Sequence, residues 1–240
     1  MAITIFAGNF RDAAPGERLP RPAMILVDLD GTMVDSAPDL AYCVDSLLPR
    51  LGLPKRGEAR VRLWVGNGVE RLLHRALTNE INGVADPDLY AKAWSGFMEL
   101  YAANTSTRSR IYAGVREGLD KLVALGFPMA CVTNKSARFT IPLLNNFGLS
   151  DYFRLVIAGD TLPQQKPDPM PLLHAARHFR IPAERCLMVG DSINDILAAR
   201  AAHFFIACVS YGYNHGIDIR MSGPDAVVDS LEELTQLLMD

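Results

Sequence analysis

Short apolar segments rich in Val, Ile and Met alternate with segments of helical period, and this alternation constrains the fold more than any other feature. Five segments are apolar almost throughout, which is typical of strands buried on both faces of a parallel sheet. They lie at residues 23–28, 127–133, 155–158, 185–190 and 204–210. Apolar residues at helical spacing recur between them from residue 107 onward. The sequence therefore predicts an α/β fold with a doubly wound, Rossmann-like core.

Residues 36–106 interrupt the alternation. Three stripes of apolar residues at helical spacing occur there, beginning at Leu40, Val69 and Leu89, without a convincing strand. Helices inserted directly after the first strand predict an α-helical cap domain. We assign residues 22–35 and 107–240 to the catalytic core, 36–106 to the cap and 1–21 to an N-terminal extension.

Composition and charge argue against several classes of partner. A net charge of −3 and a pI of about 6.0 do not provide the basic surface typical of nucleic-acid binding. No apolar stretch approaches the length of a membrane span. The four cysteines form no CxxC pair, and three lie inside apolar segments, which favours buried, reduced thiols and a cytoplasmic protein.

Two aspartates end the first apolar segment, and open α/β sheets bind ligands beyond the carboxyl ends of their strands. Only Leu29 separates Asp28 from Asp30, and Gly31 and Thr32 follow. Carboxylates this close disfavour each other's ionisation unless a cation lies between them. Mg²⁺ prefers such oxygen ligands. A turn in which one acid caps the next segment explains this short pattern equally well.

Three further strand ends carry polar side chains. The second strand leads to Thr133 and Asn134 at a helix start, where phosphate can bind, although both are also routine helix caps. The third leads to Lys166, which the following proline holds extended, although most loop lysines are simply solvated. The fourth ends at Asp191, with Asp195 one turn later, where acids also interact with the helix dipole. A single metal-assisted phosphoryl-transfer site explains all four strand ends more economically.

These strand ends, in this order, resemble the four motifs of the haloacid dehalogenase-like phosphatases. The motif segments are DLDGT at 28–32, Thr133-Asn134, Lys166 in a KPDP setting, and GDSINDILAARAA at 190–202. Three more segments are similar to the phosphoglycolate phosphatase branch, namely VGNGVERLLHRAL (65–77), TNKSARFT (133–140) and YGYNHGIDI (211–219). Members of that branch carry a helical cap and hydrolyse 2-phosphoglycolate with Mg²⁺. The resemblance spans residues 24–240.

The resemblance implies a role for each matching residue. Asp28 would attack phosphorus and become an aspartyl-phosphate, and Asp30 would act as the general acid and base. Thr133 would bind a phosphoryl oxygen, and Lys166 would offset negative charge. Mg²⁺ would be held by Asp28, the Asp30 carbonyl and Asp191, with Asp195 in the surrounding shell. The residues implied in substrate binding at the strand ends are Gly31, Thr32, Thr133, Asn134 and Lys166.

A glycine-rich stretch, Gly66-Asn67-Gly68, begins a helix of the predicted cap. It lacks the third glycine of a dinucleotide loop and follows no convincing strand, so we reject an NAD site. Its N–H groups are candidates for binding a small carboxylate of the substrate, with Arg71 as a partner. A simple glycine-rich turn with a solvated Arg71 explains the same residues at least as well.

The sequence thus predicts a Mg²⁺-dependent phosphatase for a small phosphomonoester, with 2-phosphoglycolate favoured. A sugar-phosphate phosphatase of the N-acetylmuramate 6-phosphate type and a β-phosphoglucomutase-like mutase are alternatives with the same chemistry. A non-catalytic binding module on the same fold is a more distant one. An acid at position 30 argues against the dehalogenases of the family, in which that position is not an acid. Neither nucleic acid nor a membrane is expected as a partner, and a monomer and a homodimer both remain open.

Overall fold

The computed structural model of the chain describes residues 19–239. Its strands, in chain order, are β1 (Met24–Val27), β2 (Val34–Asp35), β3 (Arg110–Ile111), β4 (Met129–Val132), β5 (Leu155–Ile157), β6 (Cys186–Gly190), β7 (Phe205–Val209) and β8 (Ala226–Val228). Its α-helices are α1 (Ala37–Leu47), α2 (Glu58–Arg62), α3 (Gly68–Thr78), α4 (Pro87–Ala102), α5 (Val115–Ala124), α6 (Ala137–Asn146), α7 (Met170–Phe179), α8 (Ile193–Ala202) and α9 (Leu231–Met239).

Six of these strands form one parallel sheet in the order β5-β4-β1-β6-β7-β8. Ile25 and Val27 of β1 face a cluster that includes residues of α5, α6 and α9. Met24 and Leu26 face the opposite cluster, built with α7 and α8. Burial on both faces is the reason why the strands are apolar throughout, and the predicted doubly wound fold is confirmed.

The register of the sheet determines where the polar residues emerge. β1 lies between β4 and β6, and Val27 is opposite Cys131 on one side and Val189 on the other. The residues that follow these three strands therefore leave the sheet side by side at its carboxyl edge.

The segment between β2 and β3 is helical, as the apolar stripes predict. α1 ends at Leu47, just before Pro49, and a short 3₁₀ turn continues to Leu51. Residues of α1, α3 and α4, among them Val44, Leu73 and Phe97, share one buried cluster. A two-residue antiparallel pairing of β2 with β3 joins the two ends of the segment. The exact domain boundaries at 35/36 and 106/107 stay a prediction.

Several short elements are absent from the sequence prediction: α2, β2, β3 and β8. Each has five residues or fewer, so it contains too few repeats of its period to stand out from a loop. The four cysteines all lie in the described part of the chain, and each is free and buried, as expected.

The predicted N-terminal extension, residues 1–21, lies outside the described residues except for its last three. Of these, Leu19 packs against the core, and the Arg21 guanidinium stacks over the ring of Phe127 at 4.8 Å. No helix within residues 19–239 is long and apolar enough to cross a membrane.

Candidate active site

The polar residues at the strand ends meet at the carboxyl edge of the sheet. Asp28 follows β1, Thr133 follows β4 and Asp191 follows β6. Lys166 reaches the same place from the connection between β5 and α7, and its Nζ lies 3.0 Å from Asp28 Oδ1. Asp195, in the first turn of α8, accepts a hydrogen bond of 2.6 Å from the same ammonium.

The carboxylates of Asp28, Asp191 and Asp195 form a buried acidic cluster. One oxygen from each lies within 4.8 Å of the others. Burial raises the pKa of Asp28 to about 7, despite the opposing effect of Lys166. Burial, followed by the repulsion of Asp195 and Asp28, raises the pKa of Asp191 well above its ordinary value. A bound cation would remove this repulsion.

The environment of Asp28 fits a metal ligand. Its Oδ1 is buried and accepts no hydrogen bond from any described residue, because the nearby Lys166 ammonium forms an ion pair without hydrogen-bond geometry. Buried carboxylate oxygens are normally satisfied by donors or by metals. The donor set, which consists of carboxylate oxygens, matches the preference of a hard divalent cation.

Asp195 has little capacity left for a direct metal bond. Its Oδ1 accepts from Lys166, and its Oδ2 accepts from the Ser192 hydroxyl at 2.8 Å and the Ser192 N–H at 3.1 Å. The bond from the Ser192 N–H is one half of a capping box at the start of α8, in which the Asp195 N–H approaches the Ser192 side chain in return. Asp195 therefore holds both the Lys166 ammonium and the loop that carries Asp191.

Asp191 is held in turn by two donors. The Thr32 hydroxyl donates to its Oδ1 at 3.2 Å, and the Tyr213 N–H donates to its Oδ2 at 2.7 Å. Gly31 allows this approach, because it has φ of +89° and a Cβ there would overlap the Asp191 carboxylate. The Gly31 N–H donates to the Val34 carbonyl. Gly31 and Thr32, which the sequence assigns to substrate binding, thus make their visible contacts within the protein.

Lys166 is almost completely buried, with 2% of its side chain exposed. Burial alone would lower its pKa, but the Asp195 and Asp28 carboxylates outweigh this effect and raise the pKa above its ordinary value. Lys166 is therefore a permanent positive charge beside Asp28.

Asn134 links three parts of the site. Its Nδ2 donates to the Lys166 carbonyl at 2.8 Å and to the Gly66 carbonyl at 3.1 Å. Asn194 of α8 donates to the same Gly66 carbonyl at 3.3 Å and accepts from Asn67 Nδ2 at 3.3 Å. The predicted Gly66-Asn67-Gly68 stretch therefore lies directly against the strand ends. Thr133 accepts a hydrogen bond from the Lys135 N–H through its hydroxyl oxygen.

Arg71 does not take part. Its guanidinium donates to the carbonyls of Gly83 and Ile81, each at 3.0 Å, in the connection between α3 and α4. It is not among the residues that line the pocket. The suggestion that Arg71 partners a substrate carboxylate is therefore not supported.

The sequence interpretation missed Lys135. Its Nζ lies 3.1 Å from both carboxylate oxygens of Asp30 and also donates to the hydroxyl of Tyr101, on α4. Burial would lower its pKa, but the Asp30 carboxylate and Tyr101 raise it above its ordinary value. The available signal was its position directly after Thr133-Asn134, at the same strand end.

Tyr213 was missed as well. Its hydroxyl donates to Asp35 at 2.8 Å, while its N–H holds Asp191. The Arg62 guanidinium binds both oxygens of Asp35, at 2.8 and 2.9 Å. Asp35 thus lies outside the acidic cluster, in a contact between the helical segment and the sheet.

One pocket lies at this edge of the sheet, and some of the polar residues described above line it. Asp28, Asp30, Thr133, Asn134 and Lys135 form its polar side. The helical segment forms the other side, with the residues Leu40, Val65, Gly66, Gly68, Val69 and Leu72. A carboxylate nucleophile candidate, an adjacent acid and two buried ammonium groups at one strand edge define a site for phosphoryl transfer.

Comparison with known proteins agrees with this site. Residues 25–209 match the family model described as haloacid dehalogenase-like hydrolase. A phosphoglycolate phosphatase from Nitrosococcus oceani is 60% identical over 220 residues, covering 92% of this chain and 98% of that protein. One from Thiobacillus denitrificans is 46% identical over 209 residues, covering 87% and 92%. The crystal structure of a predicted phosphoglycolate phosphatase from Haemophilus somnus aligns with a TM-score of 0.86 at 35% identity, covering 91% of this chain and 99% of that one.

The chain therefore belongs to the haloacid dehalogenase-like hydrolases. Within that family it falls in the phosphoglycolate phosphatase branch, and it is a phosphoric monoester hydrolase. This result excludes the non-catalytic binding module. Members of the family generally use a divalent metal, and the acidic cluster of Asp28, Asp191 and Asp195 offers a place for one.

Proposed function

We propose that this phosphatase hydrolyses 2-phosphoglycolate to glycolate and phosphate, with Asp28 as its nucleophile and Mg²⁺ as its cofactor. The observation that carries the proposal is the buried Asp28 carboxylate beside the Lys166 ammonium, with one oxygen free of hydrogen bonds. The names of the relatives at 60% and 46% identity support the choice of substrate.

The protein groups perform two successive displacements. First, an Asp28 oxygen attacks phosphorus, the bond from phosphorus to the ester oxygen breaks, and Asp30 gives its proton to the departing glycolate oxygen. Asp30 then takes a proton from water, the water oxygen attacks phosphorus, and the Asp28–phosphorus bond breaks to release phosphate. Each step is easier than direct displacement by water, because an adjacent acid–base group serves both.

The remaining residues hold the phosphoryl group. Thr133 offers a hydroxyl beside the first turn of α6, and Lys166 supplies a fixed positive charge. Asn134, which the sequence also assigns to substrate binding, gives its amide hydrogens to the Lys166 and Gly66 carbonyls and so positions these parts of the site. Gly66, Asn67 and Gly68 cover the site from the cap side. Closure of the cap over the substrate would keep water away from the first step.

Asp28, Asp191 and the backbone carbonyl of Asp30 would hold Mg²⁺, and Asp195 would orient the groups around it. When bound there, the ion would neutralise negative charge and align the phosphate with Asp28. Asp28 Oδ1, which forms an ion pair with Lys166 but accepts no hydrogen bond, supports a cation at this place. The burial and repulsion that raise the pKa of Asp191 support it as well.

The alternatives are a sugar-phosphate phosphatase of the N-acetylmuramate 6-phosphate type and a β-phosphoglucomutase-like mutase. The cap side of the pocket argues for a small leaving group. Leu40, Val65, Val69 and Leu72 line it, and none of these side chains can hydrogen-bond to sugar hydroxyls. A cytoplasmic location and a monomeric or homodimeric state stay predictions.

Steady-state kinetics on a panel of phosphomonoesters tests the proposal. We expect kcat/KM for 2-phosphoglycolate to exceed that for glucose 6-phosphate, β-glucose 1-phosphate and N-acetylmuramate 6-phosphate by roughly tenfold or more, because the pocket suits a small acid. Removal of divalent metal with EDTA should abolish turnover, and added Mg²⁺ should restore it. Equal turnover of the sugar phosphates contradicts the substrate, and activity that persists in EDTA contradicts the metal.

A further inference from the structure

Lys135 provides a buried positive charge beside the proposed general acid, and the two catalytic steps do not use it. Lys135 is only 5% exposed, yet its side chain borders the pocket. Among the described residues that line the pocket, Lys135 is the only cation, because Lys166 lies against Asp28 and Asp195 and does not line it.

The rest of the pocket offers no other countercharge to an anionic leaving group. Its cap side consists of Leu40, Val65, Val69, Leu72 and two glycines. A carboxylate that enters such surroundings loses its hydration and needs a charged partner. Arg71 is not that partner, because its guanidinium is bound to the Ile81 and Gly83 carbonyls.

The position of Lys135 suits a substrate carboxylate. In 2-phosphoglycolate, the carboxylate is attached to the carbon that bears the ester oxygen, and Asp30 is the group proposed to protonate that oxygen. Lys135 Nζ lies 3.1 Å from both Asp30 oxygens, so it is adjacent to the group that must meet the ester. An ammonium has three N–H donors. One N–H shared between the Asp30 oxygens and one given to Tyr101 leave a third for the substrate.

We propose that Lys135 binds the carboxylate of the leaving group and thereby selects phosphomonoesters of small 2-hydroxy acids. This inference rests on the proposed function, of which 2-phosphoglycolate is the substrate. Sugar phosphates gain nothing from the ammonium, since they carry no carboxylate at that position. The selectivity of the site therefore comes from a residue of the core, directly after Thr133-Asn134, in addition to the cap.

A pair of matched substrates tests the role of Lys135. 2-Phosphoglycolate and its amide, 2-phosphoglycolamide, have nearly the same shape and differ in the charge of one group. The wild-type enzyme should prefer the acid. Lys135→Gln and Lys135→Met, which remove the charge, should reduce the ratio of the two kcat/KM values by roughly 100-fold, since loss of one partner from a buried charge pair has an effect of that size. Lys135→Arg should retain most of the preference.

The ratio of the two kcat/KM values, measured on one preparation, does not depend on the fraction of active enzyme. A displaced Asp30 would slow the turnover of both substrates alike and would leave the ratio unchanged. A wild-type ratio near one contradicts recognition of the carboxylate and therefore the role of Lys135, whereas equal turnover of sugar phosphates contradicts the proposed substrate. A high wild-type ratio that neither neutral variant reduces contradicts only the role of Lys135. If the neutral variants turn over neither ester, the affinities of both compounds are measured by calorimetry instead. The proteins compared are then Asp28→Asn alone and Asp28→Asn combined with each neutral Lys135 variant, and the ratio of the two affinities is interpreted in the same way.

Discussion

Asp28 combines two properties that rarely occur together, burial and a strong requirement to be ionised. Its neighbours are the Lys166 ammonium at 3.0 Å and the carboxylates of Asp191 and Asp195. Burial, followed by the Asp195 carboxylate, disfavours its negative charge, and Lys166 alone does not compensate, because the pKa of Asp28 remains raised to about 7. A divalent cation would complete the balance and leave an ionised oxygen directed at the phosphate.

Asp28→Asn should reduce kcat for 2-phosphoglycolate by about 10³-fold or more, since an amide cannot form the covalent intermediate. Folding should be preserved, because Asn has nearly the same shape and removes repulsion from the cluster. The measurement is steady-state phosphate release, together with thermal unfolding. Asp151→Asn, an exposed aspartate in the turn before β5, is the matched control and should retain full activity. Near-normal turnover by Asp28→Asn would rule out the aspartyl-phosphate.

At the scale of elements, the chain must turn out of the sheet directly after β1 and β6, and glycines make room for these turns. Gly31 provides the turn after β1, and Gly190 at the end of β6 has no Cβ that would overlap the Asp195 side chain. The start of α8 is closed by the Ser192–Asp195 capping box. Such local rules explain why the strand ends could be located from the sequence. Elements without a repeated period, such as the five-residue α2, could not.

The helical segment depends on a buried arginine that the sequence does not distinguish from other helix arginines. Arg75 of α3 donates to the Trp64 carbonyl at 2.6 Å and to the Ile81 carbonyl at 2.9 Å, and so joins the turns before and after its helix. In Arg75→Met the Trp64 carbonyl would lose its donor, and the Ile81 carbonyl would keep only the Arg71 guanidinium. We expect a loss of about 2 kcal/mol in the free energy of unfolding, measured by urea denaturation.

Arg50→Met provides the comparison for this experiment. Arg50 is exposed in the 3₁₀ turn after α1, so its replacement should change the free energy of unfolding by less than about 0.5 kcal/mol. Equal effects of the two substitutions would show that the Arg75 contacts contribute nothing specific.

At the scale of the whole molecule, the site is closed by contacts between the helical segment and the sheet. The Gly66 carbonyl accepts from both Asn134 and Asn194, and the Tyr101 hydroxyl meets the Lys135 ammonium. These contacts join residues that lie far apart in sequence. The pocket therefore exists only when the helices pack on the carboxyl edge of the sheet.

Asp39 connects the two places where the chain enters and leaves the helical segment. Its fully buried carboxylate accepts from the N–H groups of Arg108 and Ser109 and from the Ser109 hydroxyl at 2.6 Å. Asp39→Asn places an NH₂ group among donors, so at least one of them loses its acceptor. We expect a loss of about 3 kcal/mol in the free energy of unfolding, measured in urea.

Asp88→Asn is the control for this effect, because Asp88 is exposed in the first turn of α4 and should contribute only a few tenths of a kcal/mol. If Asp39→Asn is no more damaging than Asp88→Asn, the two places are connected by other contacts. A parallel rise in hydrogen exchange within α1 would locate the loss at the base of the helical segment.

The sequence by itself determined the doubly wound sheet, the helical insertion and the strand ends that carry Asp28, Thr133 and Asp191. The physical reason is that burial on both faces requires apolar strands, so polar residues at the strand tips stand out. Only the tertiary structure decided that Lys135 faces Asp30, that Arg71 turns away to loop carbonyls and that Arg62 pairs with Asp35. Such pairings depend on the order of the strands and on how the helices pack over the sheet. No local sequence pattern specifies either of these.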